Sequence, residues 1–266
     1  MFLEFIQHMR TPAPPHIKAL RFVYGAIAIE ARHKRCKDSW APHLENTKQA
    51  IRDFVKGKSY RTAYIFGSGG LHDVPLQALL SVSKEVQLID IIHLKRIRNE
   101  MAAHPNVRIV THDVTGLAKP FFHWLKSSDG TKPPRPTDPG HLTSSLKPGP
   151  EDLVISLNLV SQLPMGFQTT AKKANRELPD DYGHQIIKKH IARVNALPGD
   201  TLIISDYEFI DYEDGEEPKT SDATLGNLGL LPAPDKNWIW NIVPLGEISK
   251  TYHSDHRVGV WGSHKN

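Results

Sequence analysis

The chain has 266 residues, of which 39% are hydrophobic, 23% charged and 8% aromatic, with a formal net charge of +4 and a pI near 9.0. That length suits one large α/β domain or two small ones, with a core that needs no covalent staples. Cys36 is the single cysteine, which excludes an intrachain disulfide and a cysteine zinc cluster and points to a reducing, cytoplasmic setting.

The start, "MFLEFIQHMRTPAPP", carries Glu4 and no long apolar run, so no secretory signal is expected. The apolar patch from Phe22 to Ile29 is too short to span a bilayer, so no membrane partner is expected. Apolar residues at Leu20, Val23, Ile27 and Ala31, then at Leu44, Ile51, Phe54 and Val55, recur at helical spacing. Asp38, Ser39 and Pro42 punctuate that run and predict two helices meeting at a corner. The basic stretch "ARHKRCK", Ala31 to Lys37, reads as a solvated helix face. It lacks the interleaved aromatics of a nucleic-acid surface, which leaves nucleic acid a minor alternative. Residues 1–58 thus form an expected N-terminal helical cap, and 59–266 a sheet domain.

From Ser59 onward strand and helix signals alternate. Ala63 to Phe66 is a strand, and Leu76, Leu79 and Leu80 stripe the helix after it. "EVQLIDII" and "NVRIVTHDV" are the next two strands, separated by a helix with Leu94, Ile97 and Met101 on its stripe. Residues 127–150 are rich in Pro, Gly and Ser and form a long loop, either functional or mobile. "EDLVISLNLV" has the unbroken apolar character of a strand buried on both faces. A helix striped by Ile186, Ile187, Ile191, Val194 and Leu197 stops at Pro198-Gly199 and leads into "TLIISDYEF". Past the acidic loop "DYEDGEEP", "NWIWNIVPLGE" and "HRVGVWG" read as an antiparallel pair with no helix between them. The alternation argues for a mostly parallel sheet covered by helices on both faces.

"YIFGSGGLHDVPL" places Gly67, Ser68, Gly69 and Gly70 in the bend after the first strand, where a missing Cβ lets a ligand approach the backbone. In the dinucleotide pattern GxGxxG the third glycine would stand at His72. Pro75 removes a helix-terminal donor, and Asp73 would repel an anion, so the loop favours a ligand with little negative charge. Asp90, about twenty residues on, could accept hydrogen bonds from a ribose, or could cap its strand end. Asp113 could meet an adenine amino group, or could cap the turn made by Thr115 and Gly116. The fifteen histidines include no HExxH or other tight ligand spacing, so no metal is expected.

Taken together, "YIFGSGG", "LID", "THDV", "DLVISLNLV", "TLIISDYE" and the terminal strand pair resemble the class I S-adenosylmethionine-dependent methyltransferases in kind and order. The resemblance runs from Tyr60 to Trp261. It implies a three-layer α/β/α, Rossmann-like fold: a seven-stranded sheet, mostly parallel with an antiparallel C-terminal strand, here with added N-terminal helices. It also implies S-adenosyl-L-methionine across the carboxyl ends of the first strands. Gly67, Ser68, Gly69 and Gly70 would then line its methionine and sugar, Asp90 and Ile91 the ribose, and His112, Asp113 and Val114 the adenine. Asn158 and Leu159 would sit beside the methyl group. Two positions depart from the family pattern: Tyr64-Ile65-Phe66 replaces an acidic residue before the glycines, and Leu71 replaces the third glycine.

Methyl transfer is an in-line displacement, so orientation is the protein's main task, with a positioned base where the nucleophile carries a proton. Asp206, Tyr207 and His72 are the candidate catalytic residues, with His253 and His256 on the expected connection between the last strands. "NLVSQLP" lacks the Asn/Asp-Pro-Pro-aromatic motif of DNA and protein amide methyltransferases, which favours a small-molecule acceptor. Asn158, Ser161 and Gln162 could bind a polar substrate or satisfy the strand end. Two alternatives stand beside methyl transfer. One is a nicotinamide-dependent oxidoreductase, opposed by His72 and by Ile186 four residues after Tyr182, where a Tyr-x-x-x-Lys couple needs lysine. The other is a non-catalytic binding protein that keeps the fold.

Overall fold

Side chains of β1 (Tyr60–Phe66) alternate between two apolar layers, Tyr64 and Phe66 entering one, Ala63 and Ile65 the other. A strand buried on both faces has to lie inside a sheet covered on both sides. In the computed structural model, which describes residues 11–128, 130–136, 146–222 and 231–265, it does. β2 (Ser83–Asp90), β3 (Val107–Thr111), β4 (Leu153–Leu157) and β5 (Asp200–Glu213) join β1 in parallel. β7 (Lys236–Val243) and β8 (Tyr252–Ser263) complete the order β3-β2-β1-β4-β5-β8-β7, with β8 antiparallel to both neighbours. This is the mostly parallel sheet with an antiparallel C-terminal strand that the resemblance implied.

Helices α1 (Pro15–Ala19), α2 (Phe22–Arg35), α6 (Ala118–Leu125), α7 (Met165–Lys173) and α8 (Tyr182–Asn195) pack with Phe66, Ile89 and Val154. Helices α3 (Lys37–Val55), α4 (Leu76–Val82) and α5 (Lys95–Met101) cover the opposite face, with Leu88, Ile155, Leu202 and Ile204. The result is three layers.

Several local expectations shift. The N-terminal helices divide at Cys36, and Pro42 lies inside α3. As the sixth residue of that helix it forfeits only the bond to the Asp38 carbonyl, a loss the buried stripe of Ala50, Ile51 and Val55 outweighs. Among the described residues the sheet has eight strands, because β6 (Lys219–Asp222) pairs antiparallel with the outer half of β5. "KTSD" carries no apolar alternation and is held by backbone pairing across the acidic turn. β8 begins at Tyr252, so His253 and His256 belong to the strand and not to a connection.

The Pro/Gly-rich loop is pinned where it is described. Trp124 donates its indole N–H to the Thr131 carbonyl (2.9 Å), and the Tyr182 hydroxyl donates to the Pro134 carbonyl (2.7 Å). At its far end Asp152, fully buried, accepts from Arg61, from the Thr62 N–H (3.1 Å) and from the Gly149 N–H (2.7 Å). Expectations for residues 1–10, 129 and 137–145 lie outside the described residues. No described helix is long and apolar enough to cross a membrane.

Candidate active site

Strand order reverses between β1 and β4, and the crevice outside their carboxyl ends opens into a cavity of about 1010 Å³. Gly67, Ser68, Gly69, Gly70, Asp90, Ile91, His112, Asp113, Val114, Asn158 and Leu159 all line it, as do His72 and Asp206. Helix α2 borders the cavity along most of its length, and β5, β7 and β8 contribute a further wall.

The glycine bend is shaped by close approach. Gly67 has φ 81°, and a Cβ there would meet the Leu157 carbonyl oxygen at 2.5 Å and Leu159 Cβ at 2.9 Å. Its N–H donates to the Ile89 carbonyl (2.9 Å), and the Gly69 N–H donates to Asp90 Oδ2 (2.9 Å). The bend therefore rests on β2. Leu71, where the family pattern has a third glycine, takes the left-handed conformation itself, φ 62°. Its side chain packs with the layer of Leu79 and Ile155. Apolar contact replaces a glycine's conformational freedom there.

Asp90 also accepts the Ile92 N–H (3.3 Å), and burial raises its pKa to about 6 against those backbone hydrogen bonds. Asp73, next to the bend, is likewise pushed up by burial, although the Asn158 amide donates to its Oδ2 (2.7 Å). Among the described residues neither carboxylate belongs to an ion pair. Asn158 closes β4 with φ 45°, its N–H on the Ile204 carbonyl (2.8 Å); asparagine tolerates that region better than most residues.

Other candidates are committed elsewhere. Both Asp113 oxygens are engaged locally: Oδ1 accepts from the Thr115 N–H (2.9 Å) and hydroxyl (2.6 Å), Oδ2 from the Ala118 N–H (2.7 Å). That is the turn-capping role, which also anchors the start of α6. The Ser68 hydroxyl is turned into the core, 2.9 Å from His93 Nε2. His72 Nε2 donates to Glu30 Oε1 of α2 (2.7 Å), and Arg96 donates to the same oxygen (2.9 Å). His72 thus clasps the glycine bend to α2.

Burial alone would raise the Glu30 pKa, but the hydrogen bond and charge of His72, then of Arg96, draw it down to about 2. A depressed carboxyl contributes stability above its unfolded value of 4.5 and loses it as pH falls toward 2. Glu30→Gln should therefore cost about 2 kcal/mol at neutral pH, after allowance for partial exposure. In urea unfolding, the gap between wild type and variant should close between about pH 4.5 and 2.5; a constant gap would mean that the charge of Glu30 contributes nothing.

Asp206 and Tyr207 end on opposite sides of the sheet. A β-bulge between Asp206 and Glu208 leaves Tyr207 unpaired and turned to the far face, edge-on to Trp261 (centroids 5.8 Å apart, 76°). Tyr207 is not among the cavity residues. The bulge also changes the phase of β5, so that Asp206, then Phe209 and Asp211, line the cavity. Buried Asp206 accepts from the Ser161 hydroxyl, from the Ser205 hydroxyl (3.3 Å) and from His256 Nδ1–H (2.7 Å). Burial opposes its charge, yet the His256 and Ser161 hydrogen bonds outweigh that and hold the carboxyl below its ordinary value. His256 stacks on Phe209 (4.0 Å, 29°) and meets Trp240 edge-on (5.9 Å, 78°).

His43 of α3 was not foreseen. It is buried, stacks on Trp240 (3.9 Å, 8°) and takes the Trp238 indole N–H on Nδ1 (3.1 Å). Burial lowers its pKa to about 3, so the ring is neutral, and its Nε2 lies 3.3 Å from the Asn158 amide nitrogen. A histidine inside the helix that precedes the first strand offers no local signal that it reaches the cavity.

No model of a known protein family matches the chain. No curated protein matches it either. Solved structures do. The N-methyltransferase NodS from Bradyrhizobium japonicum WM9, in complex with S-adenosyl-L-homocysteine, has 11% identity and a TM-score of 0.41, over 82% of this chain and 86% of that one. The 1,6-didemethyltoxoflavin-N1-methyltransferase from Burkholderia thailandensis, with 1,6-didemethyltoxoflavin and S-adenosylhomocysteine bound, has 13% identity and a TM-score of 0.41, over 96% and 92%. A DhpI–SAM–HEP complex has 10% identity and a TM-score of 0.39, over 92% and 99%.

Proposed function

We propose that this chain is an S-adenosylmethionine-dependent methyltransferase acting on a small molecule. The observation that carries the reading is the charge of the cavity floor: Asp73 and Asp90 line it beside the glycine bend, with no ion-pair partner among the described residues. Half-buried carboxylates outside any ion pair are costly to keep ionised, and a cationic ligand offsets that cost. The pyrophosphate of a nicotinamide dinucleotide would meet Asp73, next to the bend, as a repulsion, whereas Asp90 suits the ribose of either cofactor. When bound, the cofactor supplies an already activated methyl group. Asp90 would accept the ribose hydroxyls, Gly67, Gly69 and Gly70 would let the ligand approach the backbone, and Asn158 and Leu159 would border the transfer site. The remainder of the cavity, between α2, α7 and the β5–β8 wall, is left for an acceptor of small-molecule size.

Thermal unfolding with S-adenosylmethionine, S-adenosylhomocysteine or NAD tests this. A ligand at one hundred times its Kd stabilises by about 2.7 kcal/mol. Stabilisation is expected with the first two and absent with NAD. Stabilisation by NAD alone would turn the reading to an oxidoreductase.

A further inference from the structure

The strand wall of β5, β7 and β8 carries a proton-handling pair that lines the cavity. His256 Nδ1 gives its hydrogen to Asp206 Oδ2 (2.7 Å), and Asp206 is in turn held by the Ser161 and Ser205 hydroxyls. With Nδ1 carrying the hydrogen, the lone pair of the neutral ring lies on Nε2. One face of the ring stacks on Phe209 and Trp240 meets it edge-on, which together with the Asp206 bond fixes its orientation. A carboxylate that orients an imidazole and supports its protonated form is the arrangement of a general base. Around it the cavity presents flat apolar surface: Phe209, Trp240 and Tyr252 from the strands, and the exposed Met165 and Tyr24 from α7 and α2.

We infer that His256 is the base of this site and that the acceptor is a small aromatic hydroxyl compound. The inference rests on the methyltransferase reading for the fate of the oxygen once its proton has left. His256 Nε2 takes the hydroxyl proton, the O–H electron pair stays on oxygen, and the resulting phenolate is the nucleophile. A neutral amine or ring nitrogen already presents a lone pair and needs no such base. A phenol keeps its proton at neutral pH and does need one. Asp206 acts through His256 and is a positioning residue, as is Ser161.

The test uses 4-nitrophenol, whose ionisation is visible in its absorption spectrum, titrated into the protein at a pH just below the probe's own ionisation, where an ordinary imidazole is still largely neutral. Bound to wild type, it should show a phenolate-to-phenol ratio raised about tenfold or more over free solution. His256→Asn keeps an amide N–H for Asp206 and removes the second ring nitrogen, so the fold is retained while the base is lost. That variant should bind the probe in its neutral form, and Asp206→Asn should lower the ionised fraction without abolishing binding. Equal ionisation in wild type and His256→Asn, a wholly neutral bound probe, or no binding to wild type would each overturn the inference. The titration is run with and without S-adenosylhomocysteine, whose own binding is measured by calorimetry. Absence of that binding sinks the methyltransferase reading, while the probe's ionisation in the cofactor-free protein still reports on His256.

Discussion

Asp90→Asn is expected to weaken S-adenosylhomocysteine binding by about 1.5–3 kcal/mol, roughly ten- to a hundredfold, the usual worth of hydrogen bonds to a charged group. The asparagine oxygen can still accept the Gly69 N–H, so the bend is preserved and the loss reports on the ligand. The pH dependence gives a second signature. The ligand-free carboxyl titrates at about 6, above its ordinary 3.8, because burial and the nearby charge of Asp73 outweigh the N–H groups of Gly69, Ile91 and Ile92. The native state therefore holds a proton that the unfolded chain has already released, so stability without ligand should fall as pH rises from about 4 to 6 and then level off. A ligand that prefers the ionised carboxyl must displace this proton. Its affinity should fall by up to about tenfold for each pH unit below 6 and be constant above. Calorimetry across that range should show proton release in wild type and a flatter profile in Asp90→Asn. Equal slopes in the two proteins would remove Asp90 from the site.

Gly67→Ala should cost about 2–5 kcal/mol of stability, because two penalties coincide. The residue sits at φ 81°, where a Cβ is disfavoured, and that Cβ would lie 2.5 Å from a main-chain oxygen of Leu157. Main chain cannot turn away as a side chain can, so β1 and β4 would have to separate. For a chain of this size the midpoint should drop by about 5–15 °C. Gly246→Ala is the matched control: φ 89° with nothing within 4 Å of its Cβ, so only the conformational penalty of about 1–2 kcal/mol applies. A loss at Gly67 no larger than that at Gly246 would mean that the strands tolerate the extra atom.

Much of the sheet was legible because its strands are apolar runs bounded by turn residues. "DLVISL" and "LIISD" can be buried on both faces only in a central position, and the terminal pair without a helix between its members signalled the antiparallel end. β6 was not legible, since four polar residues held by main-chain pairing leave no pattern. In the site, the glycine bend, Asp90 and Asn158 could be placed because each terminates a recognisable strand. Asp113 showed its capping role only once the Ala118 N–H was seen on its second oxygen. Plain alternation along β5 already sets Tyr207 opposite Asp206; it misleads beyond that point, because one bulged residue brings Phe209 and Asp211 to the ligand crevice.

Apolar periodicity and the alternation of strands and helices were enough to determine a mostly parallel sheet covered on both faces, and the resemblance in the order of motifs implied a crevice at the carboxyl ends of its first strands. Those properties come from short-range chemistry: which residues must be buried, and which can turn. The tertiary structure alone decided that His72 is tied to Glu30, that Asp206 orients His256 across fifty residues of chain, and that His43 of α3 stacks on Trp240. Each joins groups far apart in sequence whose directions depend on strand register and on a bulge. A one-residue change of phase in β5 reverses which of its side chains meet the ligand, and no residue states that phase by itself.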